Sequence, residues 1–332
     1  MSKLVILGAG SWGTALAIAL ASRFDLVRLW GRNAAHMAEV AKLRENRRYL
    51  PGFLLPRCIE VTSVLAAALD EAEVTLLAVP SEFLRLILVE AEPYLLPRTR
   101  LISATKGLEN GTLFRMSQVI RSALPESLSS RVAVLSGPTF AKEIAAGEPA
   151  AVVIASETPG LAEAIQHDFS TPNLRLYVSH DVVGVELGAA LKNVVAIGGG
   201  ICKGLGLGSN SVAALVTRGL VEITRLAAAM GGNTQTLRGL AGLGDLVLTT
   251  TGDLSRNRSV GLQLGQGLKL SQILAEMTMV AEGVGTCRAA FQLGQNLGVE
   301  LPIINQMYEV LYQSKDPRQA IRDLMERPLT TE

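Results

Sequence analysis

The chain has 332 residues, room for two domains at about 150 residues each. Its 48 % apolar residues supply large cores, and a formal net charge of +1 gives no global field toward nucleic acid or an anionic membrane. Only 4 % of residues are aromatic, Cys58, Cys202 and Cys287 form no C-x-x-C pair, and His36, His167 and His180 stand in no metal-ligand spacing; this excludes base-stacking platforms and structural zinc and fits a reducing cytoplasm.

The first element is an apolar run, Leu4 to Leu7, leading into Gly8, Gly10 and Gly13 and then into an alanine-rich stretch. Strand, tight turn and helix are the setting in which G-x-G-x-x-G becomes a dinucleotide fingerprint. Gly8 permits the turn, Gly10 lets backbone approach a pyrophosphate at the helix N-terminus, and Gly13 allows close helix–strand packing. Leu4 to Ser22 runs 19 residues without a charge, the pattern of a signal or membrane segment. Three glycines in six residues argue against a span, so no membrane insertion and no targeting segment are expected.

Asp25–Trp30 reads as the second strand and ends in Gly31-Arg32-Asn33. A site that prefers NAD usually carries an acid there for the ribose 2′-hydroxyl. Arg32 suits a 2′-phosphate instead, which predicts preference for NADPH with NADH still usable; the plainer alternative is a solvated surface arginine. Val74–Val79, Leu101–Ala104 and Val132–Leu135 follow as apolar runs with helical material between them, and Ala151–Ala155 and Leu174–Val178 extend the series. Such alternation predicts a parallel sheet with helices on both faces. The turns at Gly8–Gly13, Pro80-Ser81, Thr105–Gly107 and Ser136–Thr139 all follow strand ends and are expected to line one crevice.

After Asp181 the strand signal fades, and Val183–Ile201, Val212–Met230, Ser259–Gly265 and Gly283–Leu297 carry helical spacing. The expected architecture is an α/β N-terminal Rossmann-type dinucleotide-binding domain, residues 1–180, followed by an all-α C-terminal domain, residues 181–332.

Val183, Leu187, Leu191 and Val194 form a core stripe. One register over, Gly184, Gly188, Lys192, Ala196 and Gly200 share a line on which Lys192 is the only large side chain. Small neighbours suggest room for a ligand beside an ammonium, and desolvation there brings a lysine toward the range useful for proton transfer. A helix lysine snorkelling to water is the competing reading. Three polar clusters interrupt apolar surroundings: Thr105-Lys106-Gly107, Ser136 to Glu143, and Gly242 to Asp245 leading into Ser255-Arg256-Asn257-Arg258. The last suits a phosphate monoester, although each cluster also reads as caps and turns.

Six segments in order resemble one family: Gly8-Ala-Gly-Ser-Trp-Gly-Thr-Ala, Ala104-Thr-Lys-Gly-Leu, Ser136-Gly-Pro-Thr-Phe-Ala-Lys-Glu, Leu191-Lys-Asn-Val-Val-Ala-Ile, Gly242-Leu-Gly-Asp-Leu and Ser255-Arg-Asn-Arg. They are similar to the bacterial-type NAD(P)-dependent sn-glycerol-3-phosphate dehydrogenases, from Leu4 to about Tyr312. The resemblance implies reversible hydride transfer between NAD(P)H and dihydroxyacetone phosphate, feeding phospholipid synthesis, with the active site between the two domains and no metal. It also implies Lys192 as proton donor and acceptor. Substrate contacts would come from Lys106, Gly137, Thr139, Asp245, Ser255, Arg256 and Asn257. Cofactor contacts would come from Ser11, Trp12, Arg32, Lys106, Ala141, Arg256, Val280 and Glu282, beside the glycines of the turn. Asp245 would orient Lys192 or meet a substrate hydroxyl. Two rival readings stand: a related β-hydroxyacid or sugar-acid-phosphate dehydrogenase, and a non-catalytic NADP(H) sensor. The expected setting is cytoplasmic, and a homodimer fits a helical second domain.

Overall fold

The structure, a computed structural model, describes residues 2–277, 279–329 and 331. The chain divides into two compact units, Met1–Lys106 with Phe114–Glu186, and Gly107–Leu113 with Leu187–Glu332.

The first unit holds eight strands: β1 (Lys3–Leu7), β2 (Leu26–Trp30), β3 (Ile59–Thr62), β4 (Val74–Leu77), β5 (Arg100–Ser103), β6 (Val132–Ser136), β7 (Ala150–Ala155) and β8 (Leu174–Ser179). They form one sheet in the order β3-β2-β1-β4-β5-β6-β7-β8. Its helices are α1 (Ser11–Leu20), α2 (Ala34–Leu43), α3 (Leu65–Leu69), α4 (Leu84–Ala91), α5 (Met116–Ala123), α6 (Glu126–Ser129), α7 (Ala141–Ala146) and α8 (Leu161–Phe169). Both faces of the sheet are covered, which is why Leu4–Leu7 of β1 is an unbroken apolar run and β4 departs from one only at the buried Thr75. Leu4 and Ile6 pack with Leu16, Met37 and Phe169 on one side, whereas Val5 and Leu7 pack with Leu84, Leu88 and Val119 on the other.

The parallel sheet predicted from the alternation needs correction at one pair. β7 runs antiparallel to β6, and β8 is parallel to β7. The connection is compact: α7 has six residues, a rise of about 9 Å, against about 17 Å for a five-residue strand, and α7 does not run the length of the sheet. The chain enters β7 from the edge at which β6 left. β3 escaped the sequence reading because it is a four-residue edge strand with only its first residue buried. β1, β4, β5 and β6 are mutually parallel, so the turns after them leave from one edge.

The second unit is helical: the greater part of α9 (Val182–Gly204), then α10 (Ser209–Ala229), α11 (Asp245–Thr251), α12 (Arg256–Gly265), α13 (Leu270–Glu276), α14 (Glu282–Leu297), α15 (Pro302–Tyr312) and α16 (Pro317–Met325). α9 is long and apolar enough to cross a membrane, yet 94 % of its apolar window is buried inside the protein, the mark of a core helix. Its first turns belong to the first unit, where Glu186 accepts from Ser117 N and Oγ, both at 2.7 Å, and pairs with Arg115. Burial pushes the Glu186 carboxyl up, opposed by that guanidinium. In the second unit Glu222 of α10 accepts the N–H groups of Ile303 (2.7 Å) and Ile304 (3.1 Å), so a carboxylate from another helix satisfies the open donors at the start of α15. Burial raises the Glu222 pKa to about 7.

Candidate active site

The first unit gathers its candidate residues around the end of β1. Gly8 has φ +121, and an added Cβ would stand 2.5 Å from the Ala78 carbonyl oxygen. An added Cβ on Gly13 would stand 1.9 Å from the Gly8 carbonyl oxygen. Side chains are therefore excluded at both positions, and α1 starts directly against the strand end. Gly10 is the cap of α1 and brings no side chain to it; nothing lies within 4 Å of where its Cβ would be. The first N–H groups of α1, from Ser11 on, thus begin beside open space with the positive end of the helix dipole behind them.

Two further features fit a bound dinucleotide. Trp12 Nε1 is buried without a hydrogen-bond partner, an orphan donor that calls for an acceptor. Asn46, fully buried, donates to the Ala9 carbonyl (2.9 Å) and to Thr14 Oγ1 (2.8 Å) and so braces the turn from behind. Sequence reading missed Asn46, because Arg44-Glu45-Asn46-Arg47-Arg48 looks like a solvated loop.

Beside this turn, Lys106 Nζ sits 5.9 Å from the Trp12 ring and donates to the Gly137 carbonyl (3.1 Å) and to Thr139 Oγ1 (3.4 Å). Gly137 has φ +143, and an added Cβ would stand 2.9 Å from Val152 Cα; glycine is required there by conformation and by space. Ala141 opens α7 and packs against the same core as Trp12. The loops after β1, β5 and β6 thus meet through Trp12, Lys106 and Thr139. Arg32 follows β2 on the flank of the turn after β1. It is half exposed, and its Nη2 lies 3.4 Å from Glu90 Oε1.

The second unit gathers the rest. Lys192, in mid α9, is 5 % exposed and Asp245 is fully buried. Lys192 Nζ donates to Asp245 Oδ1 (2.6 Å) and to Thr249 Oγ1 (2.7 Å), and the Thr249 hydroxyl donates on to Asp245 Oδ1 at 3.2 Å. The ammonium is a buried, held group and does not snorkel to water. Thr249 is the second residue missed by sequence reading, although its i, i+4 spacing from Asp245 on one helix face was a usable signal.

The reason inferred for the small-residue line next to Lys192 is corrected. Those positions admit neighbouring backbone and not a ligand. An added Cβ at Gly188 would stand 2.4 Å from the Ala241 carbonyl oxygen, and at Gly200 it would stand 2.0 Å from that of Arg258. The wide helical turn Leu240–Gly244 packs at the first, delivering Asp245 to Lys192; α12 packs at the second.

Asn257 Oδ1 accepts from Gly283 N (3.0 Å), where an added Cβ would also lie 2.6 Å from the Asn193 carbonyl oxygen. α9, α12 and α14 therefore converge one residue past Lys192. Arg256 is exposed and donates through Nη1 to the Val280 carbonyl at 3.0 Å; Glu282 is the first residue of α14. Ser255 caps α12, accepting from Arg258 N at 3.2 Å, which is the plainer of the two readings of that serine. Among the described residues no three His, Cys, Asp or Glu side chains are placed to hold a metal ion.

Known proteins bear on this geometry. Residues 3–162 match the family described as NAD-dependent glycerol-3-phosphate dehydrogenase N-terminus, and residues 181–322 match its C-terminus counterpart. A protein of Koribacter versatilis named glycerol-3-phosphate dehydrogenase (NAD(P)+) is 52 % identical, the alignment covering 100 % of this chain and 99 % of that protein. One of the same name from Syntrophotalea carbinolica is 50 % identical over 98 % of both chains. The crystal structure of glycerol-3-phosphate dehydrogenase from Coxiella burnetii superposes with a TM-score of 0.93 at 38 % identity, covering 98 % of this chain and 99 % of that one.

Proposed function

The chain belongs to the NAD-dependent glycerol-3-phosphate dehydrogenase family, and from that premise we propose how its residues carry out the reversible reduction of dihydroxyacetone phosphate to sn-glycerol 3-phosphate. It is an NAD(P)-dependent oxidoreductase acting on a CH–OH group. We assign nucleotide binding to residues 1–180 and the proton-transferring lysine to residues 181–332. The rival β-hydroxyacid or sugar-acid reading is not favoured, because both halves match one dehydrogenase family along nearly their whole length.

When bound, the reduced nicotinamide supplies hydride to the C2 carbonyl carbon of the ketone. Lys192 Nζ holds the proton that the C2 oxygen takes as negative charge develops on it. Asp245 and Thr249 hold that ammonium and fix its direction through bonds of 2.6 and 2.7 Å. In the reverse direction the same amine accepts the proton of the alcohol. The observation that carries this reading is the burial of Lys192 with a carboxylate and a hydroxyl as its partners. Lys106, with Gly137 and Thr139, is assigned to the edge shared by nucleotide and substrate. Arg256 and Asn257, at the start of α12, are assigned to the substrate phosphate, whose binding positions C2. The free state of Cys58, Cys202 and Cys287 supports a cytoplasmic setting, consistent with a role in glycerophospholipid synthesis.

The reading is tested by following absorbance while the purified chain reduces dihydroxyacetone phosphate with NADPH or with NADH, against a panel of β-hydroxy acids in the reverse direction. Rapid turnover confined to a hydroxy acid would replace the substrate. Within the reading, Arg256→Ala is expected to raise KM for dihydroxyacetone phosphate about 10- to 100-fold, the scale of a lost charge-assisted contact, with little change for unphosphorylated dihydroxyacetone. Equal losses for both ketones would remove Arg256 from the phosphate. Arg32→Glu is expected to weaken NADPH about tenfold or more through charge reversal, and NADH far less. Dissociation constants for the two nucleotides decide it, and matched losses would refute the assignment of Arg32 to the 2′-phosphate.

A further inference from the structure

Arg32 follows β2, whose Trp30 carbonyl receives the Gly8 N–H at 2.9 Å. The intervening Gly31 lies so near the glycine turn that an added Cβ would be 3.1 Å from that of Ala9. Arg32 is thereby placed at the flank of the nucleotide turn, and its guanidinium has a counter-anion. Nη2 lies 3.4 and 3.5 Å from the two carboxylate oxygens of Glu90, near the end of α4. The only other charged side chain on α4, Arg85, donates to Ser122 Oγ at 2.9 Å, so Glu90 is the charge that this helix brings to Arg32.

We propose that Glu90 is a specificity-determining residue that limits how strongly the enzyme prefers a 2′-phosphorylated nucleotide, a proposal that rests on the assignment of Arg32 to the 2′-phosphate. A 2′-phosphate is doubly charged near neutral pH. To bind Arg32 it must draw the guanidinium from Glu90 or share it, and in either case it approaches a like charge. A ribose 2′-hydroxyl carries no charge and meets no such opposition. The pair is half exposed on both sides, at 50 % and 46 %, so solvent screens it and leaves it exchangeable. Arg32 pulls the site toward NADPH, Glu90 reduces that pull, and NADH remains a usable partner.

The test is calorimetric titration of the full-length enzyme with 2′,5′-ADP and with 5′-AMP, fragments that differ only in the 2′-phosphate. Parent, Glu90→Gln and Arg32→Ala are compared. Glutamine keeps the shape of Glu90 and removes its charge. Glu90→Gln is expected to tighten 2′,5′-ADP about three- to tenfold, to leave 5′-AMP unchanged, and to lose part of the gain as salt is raised. Unchanged 2′,5′-ADP affinity in Glu90→Gln, or the same change for both nucleotides, overturns the proposal. Arg32→Ala separates the two levels. If it weakens 2′,5′-ADP while Glu90→Gln does nothing, the Arg32 assignment stands and only the role of Glu90 falls. If it leaves 2′,5′-ADP at the parent value, the assignment fails and the proposal fails with it.

Discussion

Replacing Lys192 by methionine is expected to cut turnover at least about a thousandfold, because proton donation and stabilisation of the developing alkoxide are lost together. Methionine is close to lysine in length and apolar girth, so the α9 helix keeps its packing while the ammonium disappears. The glycine turn and the Trp12 indole belong to the first unit, whereas Lys192 belongs to the second. NADPH affinity is accordingly expected to stay within about threefold of the parent, a difference of about 0.65 kcal/mol. Steady-state rates with dihydroxyacetone phosphate and nucleotide binding by titration check the two halves of the statement. Activity within about tenfold of the parent, a barrier change of about 1.4 kcal/mol, would remove Lys192 from the chemistry. Loss of nucleotide binding would show instead that the variant is damaged more widely. The unfolding temperature must be read alongside, since the variant removes the ammonium from a buried Asp245 carboxylate that still accepts from Thr249 Oγ1.

Much of this arrangement is visible in the amino acids because short-range physics dictates it. Gly8 and Gly13 are needed by a turn that admits no Cβ, so the motif reveals its geometry before any coordinates do. The four runs that became β1, β4, β5 and β6 are mostly apolar because both faces of the sheet are covered, and the small hydroxyl residues among them, Thr75, Ser103 and Ser136, are buried. Lys192 stood out as a lone large polar side chain on a line of small ones, but the physical reason lay elsewhere. The small residues seat the Leu240–Gly244 turn and α12 against α9, and that turn is what delivers Asp245. Such long-range pairing has no local signature, and neither does Asn46, whose partners Ala9 and Thr14 are more than thirty residues away. The reversed β7 is intermediate. The thirteen residues between Ser136 and Ala150 would have allowed a crossover, but only six of them form α7 and the strand that follows is antiparallel. Glu90 is hidden for the same reason as Asn46. It lies 58 positions from Arg32, and nothing near it in sequence marks it as a neighbour of the nucleotide turn.

Asp245→Asn is the second substitution from which a large effect is expected, and it separates stability from catalysis. Asp245 is fully buried and Lys192 nearly so. Removing one charge of such a pair leaves the other desolvated and uncompensated, at a cost of about 3–5 kcal/mol. For a unit of this size that corresponds to a fall in unfolding temperature of roughly 6–20 °C. Turnover is expected to drop about a hundredfold or more, because the ammonium loses the anion that aims it. Replacing both members, as in Lys192→Met with Asp245→Leu, removes the unpaired charge as well as the pair. That double variant is expected to regain much of the lost thermal stability while remaining inactive, since apolar substitutes of similar volume commonly match or exceed a buried ion pair. Thermal unfolding of the parent, Lys192→Met, Asp245→Leu and the double variant, with rates measured on each, completes the cycle. Additive falls in unfolding temperature would mean that Lys192 and Asp245 do not act as a unit. An Asp245→Asn enzyme with parental stability and parental turnover would deny the carboxylate any part in holding the proton donor.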